Sequence, residues 1–384
     1  MTSPPTARLR QALARRLVTD DYLHDMGWME AVETIPREVF LGEAIFRPTE
    51  TESGTLWEPL RRSDVGDEQW TSFAYTNQTW VTQVGGISAS DASRPLAGSP
   101  TSSSTLPGIV IRMLEIAGIS DGDTVLEIGT GTGYSAALMS HRLGNRAVTS
   151  IEYDPVVAQH ACEAITEAGY APTLVVGDGL AGYERNAEYD RLIATCSVRY
   201  IPASWMWQVR DGGTITTPFW GWMNANGLAN LTLGDDGTAT GHFDPFEVAF
   251  MPVRPHTAPP LSHYLIGRGE RRESRIDPNV LDDSTGLFVA QLGAPSAQRM
   301  GSGDEVILLD VATGSQAATQ ADPAGGWTVR QRGPLRLWDE VEDAVMTWQG
   351  AGCPPQSAFG LMVTRDRQYV WLGDTEGPNW NLPA

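Results

Sequence analysis

Leu9, Leu13 and Leu17 recur at every fourth position of TARLRQALARRLV, so one face of the segment is apolar and the rest charged or small. The spacing predicts an amphipathic helix. With MGWMEAVETIPREVFL behind it, the stretch 6–47 reads as helical up to a proline-bearing turn. Residues 48–100 hold no sustained period, and only TSFAYT and TWVTQV have the composition of short strands. At 107 the pattern changes, and to about 221 apolar runs of strand length alternate with segments of helical period. PGIVIRMLEIAGI predicts a helix, TVLEIG (124–129) a buried strand, SAALMSHRL a helix, AVTSIE (147–152) a strand and PVVAQHACEAITEAG a helix. TLVVGDG (173–179), YDRLIATCS (189–197) and GGTITTPFWG add three strands. Such alternation predicts an α/β fold with a mostly parallel, doubly wound sheet. LANLTLGDDGTATGHF reads as a hairpin across its Asp-Asp-Gly turn.

Beyond about 245, the proline-rich FMPVRPHTAPPLS marks a boundary. The remainder predicts a mixed α+β domain: strands at EVILLDV and WTVRQRG, a helix at LWDEVEDAVMTWQGAG and a hairpin at FGLMVTRDRQYVWLGD. The expected divisions are 1–100, a helical and substrate-side segment; 101–245, a ligand-binding core; and 246–384, an accessory domain suited to peptide recognition. An open edge of the final hairpin would take a peptide by strand addition. Trp338, Trp348 and Trp371 are expected in the core, as are Trp205, Trp207, Trp220 and Trp222 around the fifth strand.

Composition narrows the function classes. The 384 residues exceed one average domain, and 41% hydrophobic with 19% charged residues is globular. Net charge is −20, and basic residues cluster only as pairs at 15–16, 61–62 and 271–272. A nucleic-acid or anionic-membrane partner is therefore not expected. No run approaches membrane-spanning length, and no apolar stretch follows the N-terminal arginines. Three scattered cysteines and six dispersed histidines imply neither a metal site nor a disulfide framework, and the expected location is the cytoplasm.

The chemistry concentrates in VLEIGTGTGYSAAL, residues 125–138. A buried strand runs into Gly129, Thr130, Gly131 and Gly133, then a helix opening at Tyr134. Glycines let backbone approach a ligand, and a helix start offers free N–H groups. Gly131, Gly133 and Ala136 also fit the dinucleotide pattern G-x-G-x-x-A. Glu127, two residues before the first glycine, suits a cationic ligand better than a pyrophosphate. Glu152 closes the second strand, where a carboxylate can accept both ribose hydroxyls. Asp178, beside Gly179, closes the third, where it can accept from an adenine amino group. Together these positions line the C-terminal edge of a parallel sheet and fit S-adenosylmethionine as cofactor.

TSSSTLPGIVIRMLEIAGISDGDTVLEIGTGTGYSAALMSHRLG, followed by VTSIEYDP and VVGDG, closely resembles protein-L-isoaspartate O-methyltransferases. TIPREVFL is similar to that family's V-P-R-x-x-F segment, and AYTNQTWVTQ to its Tyr-containing approach to the active site. The resemblance covers roughly 8–240 and implies a Rossmann-like class I methyltransferase core. Thr105 stands where the family has serine, the run VGGISASDASRPLAGSPTSS separates the two active-site segments, and the last third is expected to lack a counterpart in the repair enzyme. That arrangement resembles members that modify ribosomally made peptides in lanthipeptide or graspetide pathways. It implies methylation of an aspartate in a modified precursor peptide, giving an aspartimide that persists or hydrolyses to isoaspartate. General repair of isoaspartyl proteins is the alternative, and a non-catalytic peptide-binding scaffold is the alternative outside enzymes.

A carboxylate is ionised at pH 7, so methyl transfer to it asks mainly for alignment. In SPTSSSTLP, by composition a linker or helix cap, Pro107 suits the first helical turn and Thr105 would lie at or beside the cap. The resemblance makes Ser103, Ser104 and Thr105 the candidate catalytic hydroxyls, Thr105 foremost, with Ser102 and Tyr75 as substrate contacts.

Overall fold

The computed structural model describes residues 4–52, 54–246, 248–261, 267–301 and 305–383. The chain packs as two compact units: 1–195 with 207–216, and 196–206 with 217–384.

The first unit opens with α1 (Pro4–Thr19) and α2 (Met26–Thr34). Leu13 and Leu17 of the predicted stripe are buried. Asp25 caps α2 by accepting from the Gly27 and Trp28 N–H groups. The helical reading fails beyond Thr34. Ile35 and Pro36 are extended, and after a short 3₁₀ turn β1 (Ala44–Thr51) pairs antiparallel with β2 (Gly54–Arg61). Pro48 and Pro59 hide this hairpin from a sequence reading. Its outer edges are mostly open, with one register pair to the next strand on one side and two on the other, a setting in which sheets tolerate proline.

After α3 (Arg62–Val65) comes α4 (Asp67–Ala74), so TSFAYT closes a helix rather than forming a strand. β3 (Trp80–Val84), β4 (Ile87–Ser88), β5 (Leu96–Ala97) and β6 (Pro100–Ser104) complete a sheet in the order β4-β3-β1-β2-β5, with β6 also on β3. Phe46, Val81, Val84, Ala89 and Ala92 form its core. The hydroxyl-rich stretch is thus a paired strand, not a tether.

α5 (Pro107–Ile116), β7 (Val125–Ile128), α6 (Tyr134–Leu143), β8 (Val148–Glu152), α7 (Pro155–Glu167), β9 (Thr173–Val176) and β10 (Tyr189–Ala194) alternate as the periodicity predicts. α8 (Ala203–Gln208) and β11 (Val209–Trp220) follow, each crossing the division between units. The parallel strands of the first unit run β11-β10-β7-β8-β9, the expected Rossmann-like sheet. Register sets Glu127 opposite Ser150 and Glu152 opposite Val176, which aligns the C-terminal edge.

The second unit holds the predicted hairpin, β12 (Asn226–Leu233) and β13 (Ala239–Asp244), which lies within the 101–245 of the sequence reading. It continues with β14 (Glu270–Glu273), α9 (Ser284–Gly293), β15 (Gln298–Met300), β16 (Ile307–Asp310), β17 (Ser315–Ala321), β18 (Trp327–Arg332), α10 (Leu337–Gly350), β19 (Phe359–Val363), β20 (Gln368–Leu372) and β21 (Asn379–Asn381). Strands β12-β13-β19-β20-β21 form one antiparallel set, and β14-β18-β17-β16-β15 a separate sheet. Phe243, Phe288 and Phe359 meet edge-on with centroids 5.0 and 5.5 Å apart, and Trp338, Trp348 and Trp371 are buried as expected. Both sides of the β19–β20 hairpin are occupied, by β13 and β21, so it offers no open edge for strand addition. Ser262, which ends the proline-rich crossing, lies outside the described residues. Among the described residues, no helix is long and apolar enough to cross a membrane, and no cluster of His, Cys, Asp or Glu could hold a metal ion.

Candidate functional site

The glycine loop forms where β7 ends. Gly129, Gly131 and Gly133 all have positive φ (94°, 56° and 92°), a region that favours residues without a Cβ. The Gly129 and Thr130 N–H groups donate to the Ile151 carbonyl, which pins the loop to β8. A Cβ at Gly133 would sit 2.8 Å from two Ile165 carbons. Gly133→Ala is therefore expected to cost about 2 kcal/mol from left-handed strain and overpacking, read as a lower urea midpoint with an unchanged m-value.

Glu127 does not face the loop's open side. It is fully buried, and its carboxylate accepts from the Ser135 hydroxyl and, at 2.6 Å, from Ser150. Ser150 Oγ also meets Thr130 Oγ1 at 2.6 Å, so the chain Thr130–Ser150–Glu127–Ser135 braces the loop from beneath. Burial pushes the Glu127 carboxyl up to about 7, against the lowering effect of the two serines, and the Glu152 charge adds to the rise. Thr130 and Tyr134, expected to touch the cofactor, are likewise buried. Tyr134 packs edge-on against Phe40 at 5.5 Å, and Gly179 is buried where a Cβ would strike Ile128.

Glu152 and Asp178 remain accessible at the strand ends. Glu152 accepts from the Gly131 N–H at 2.9 Å and the Asp154 N–H at 3.0 Å, which fixes its carboxylate at the rim of the loop. Asp178 caps a short turn through the Leu180 N–H. Beside Glu152 in sequence and register, Tyr153 and Val176 are 53% and 57% exposed. An apolar ledge flanked by two carboxylates and an open glycine turn fits a nucleoside with a cationic side chain. The residues present therefore suit S-adenosylmethionine, with Glu127 supporting rather than contacting.

The hydroxyl strand meets this edge. A Cβ at Gly131 would lie 3.7 Å from the Ser103 carbonyl oxygen, so β6 passes directly over the loop. Strand alternation separates the candidates. Ser103 and Thr105 share a face, are partly exposed, and hold their hydroxyl oxygens 3.5 Å apart. Ser104 and Ser102 point the other way and are buried. Thr105 does not cap α5: Leu106 is the N-cap residue, with no side-chain bond, and Asn77 Oδ1 takes the Gly108 N–H at 2.8 Å. Tyr75 is buried, its hydroxyl donating to Glu38, so it packs rather than greeting a substrate; burial and this bond push its hydroxyl pKa upward.

Three residues stand in settings that the sequence does not reveal. Gln83 of β3 donates to Asp154 at 3.0 Å and accepts from Thr101 of β6 at 2.6 Å. Asp154 in turn caps α7, so this bridge links the Glu152 turn to the hydroxyl strand. Arg37, in the 3₁₀ turn, is completely buried behind β6. Trp207, expected in the core, is instead 79% exposed, while Trp205 in the same short helix is buried.

Comparison with known proteins places this geometry. The family described as protein-L-isoaspartate(D-aspartate) O-methyltransferase matches residues 60–255. The protein-L-isoaspartate O-methyltransferase of Ignicoccus hospitalis is 30% identical over 211 residues, covering 54% of this chain and 81% of that protein. That of Fervidobacterium nodosum is 40% identical over 114 residues, 29% of this chain and 57% of that one. A solved protein-L-isoaspartate O-methyltransferase aligns with 95% of this chain and all of its own (100%), at TM-score 0.54 and 19% identity, a likeness of fold. That solved enzyme thus has a counterpart in fold for most of the last third, which the sequence alone does not lead one to expect.

Proposed function

The chain belongs to the protein-L-isoaspartate O-methyltransferase family, S-adenosylmethionine-dependent carboxyl O-methyltransferases, and on that premise we propose that it methylates the free carboxylate of an isoaspartyl residue in a peptide. The observation that carries this reading is the passage of the strand bearing Ser103 over the glycine loop, with the Ser103 carbonyl oxygen 3.7 Å from a Cβ placed at Gly131. Bound S-adenosylmethionine supplies a methyl group already activated on a sulfonium. The protein then has to hold the acceptor oxygen in line with that methyl. Glu152, Asp178 and the loop backbone at Gly129 and Gly131 bind the nucleoside and its chain. Ser103 and Thr105 donate to the acceptor carboxylate, replacing water and fixing which oxygen points at the loop. No proton need move, because the acceptor is already ionised near neutral pH.

A second reading, methylation of an ordinary aspartate in a constrained ribosomal peptide, is favoured by the segment 84–103. It carries β4, β5 and β6, and with β6 the acceptor hydroxyl of Ser103 itself. Mass spectrometry separates the two. Incubated with S-adenosylmethionine, an isoaspartyl peptide is expected to gain one methyl group while its aspartyl counterpart does not. Methylation confined to a macrocyclic aspartyl peptide would overturn the first reading, and methylation of neither would overturn both.

A further inference from the structure

Arg37 is a buried cation without a carboxylate partner among the described residues. Its guanidinium is spent on main-chain oxygens. One nitrogen donates to the Ala74 carbonyl and, at 3.4 Å, to that of Thr76. The other donates to the carbonyls of Gln78 at 3.2 Å and Thr105 at 3.0 Å, with Ser104 carbonyl and hydroxyl oxygens at 3.4 Å. Its Nε has no hydrogen-bond partner, and the ring of Tyr134 lies 5.8 Å away. Burial draws the guanidinium down to about 10, which leaves it charged at neutral pH.

A buried charge costs several kcal/mol unless geometry returns it, and a cation held by backbone carbonyls and one hydroxyl is a costly way to brace loops. The arrangement has a use because of what the carbonyls belong to. Residues 74–78 lead into β3, and Ser104 and Thr105 end the hydroxyl strand. Asn77 of segment 74–78 supplies Oδ1 to the Gly108 N–H, and Thr79, the next residue beyond that segment, supplies Oγ1 to the Leu106 N–H at 3.0 Å. One planar fork thus ties both segments into a single frame, and it holds a positive charge behind the face on which an acceptor carboxylate would sit.

We propose that Arg37 is a positioning residue that clamps segment 74–78 to Ser104–Thr105 and so sets the acceptor hydroxyls over the glycine loop; the last step rests on the function proposed above. Lysine cannot reproduce the fork, since its three donors radiate from one nitrogen.

The test compares Arg37→Lys and Arg37→Gln with wild type by amide hydrogen exchange and by steady-state kinetics on whichever peptide the wild type methylates. Exchange is expected to speed up together in 74–78 and 103–108, by about tenfold or more, while β7, β8 and β9 keep their protection. Turnover should fall by about 10²-fold in Arg37→Gln, with KM for S-adenosylmethionine within about threefold of wild type, and less in Arg37→Lys. A lesion of general stability would instead raise exchange throughout the first unit and weaken cofactor binding. That pattern, or unchanged exchange in the two segments, overturns the proposal. Where Arg37→Gln does not fold, Arg37→Lys decides by the same criteria. If the wild type methylates neither an isoaspartyl nor an aspartyl peptide, the substrate reading falls and the exchange pattern still decides the clamp.

Discussion

Glu127→Gln is expected to remove most of the fall in stability that the wild-type protein undergoes as pH rises from about 4.5 to about 7. The sign follows from linkage. In the unfolded chain Glu127 titrates near the ordinary glutamate value of 4.5, whereas burial in the folded protein raises it to about 7. Between these values the folded state holds a proton that the unfolded state has released, so stability decreases with rising pH. It is undiminished below 4.5 and reaches its lower level above 7. A shift of this size corresponds to about 3 kcal/mol, shared with the network that brackets the residue. Glutamine keeps the shape. Its carbonyl accepts from one serine, its amide donates to the other, and the Ser150 hydroxyl turns toward Thr130. Urea denaturation at several pH values checks this, and equal slopes in the two proteins would refute it. Cofactor binding adds a second signature. A cationic ligand favours ionised Glu127, so wild-type affinity for S-adenosylmethionine should rise between about pH 6 and about pH 8, and that of the variant should stay flat. Calorimetry at the two pH values reads it directly.

The parallel core was legible because strand and helix there obey their own periods. VLEI and VTSIE are apolar enough to be read as buried strands, and the glycines between β7 and α6 mark the ligand edge. The sheet β1–β6 was not legible, for physical reasons. Its strands include pairs only two residues long, β1 ends in a run of exposed residues, and prolines occupy both arms of the first hairpin. Its stability comes from a small apolar core gathered from distant segments, which no local window displays. The site divided along the same line. Glu152 and Asp178 stand where their strand ends put them. Glu127 was misjudged because spacing reveals that a carboxylate lies near a loop but not that two serines bury it there. Arg37 is the arginine of TIPREVFL, the segment similar to V-P-R-x-x-F, but its role was not legible there, since most of its partners are backbone carbonyls and every residue has one.

The sharpest consequence of reading 100–104 as a strand is a division of labour among three adjacent hydroxyls. Residues two apart share a face, so Ser103 and Thr105 lie on the open side and Ser104 on the side of Arg37. Thr105→Val keeps the shape and removes only the hydroxyl; Ser103→Ala does the same on its neighbour. Each is expected to slow methyl transfer about tenfold, and the pair together by about 10² or more, the scale for removing donors from a reacting oxyanion. Binding of S-adenosylmethionine should be unchanged, because Glu152, Asp178 and the loop backbone are untouched. Thr105→Ser should retain most of the activity, since it keeps the hydroxyl on the residue type that the resemblance places there. Ser104→Ala should behave differently, losing about 1 kcal/mol of stability through its contact with Arg37 while turnover stays within a few-fold of wild type. Wild-type turnover in the Ser103→Ala, Thr105→Val double variant would remove this face from the reaction. A large loss in Ser104→Ala alone would mean that the strand turns over when the substrate is bound.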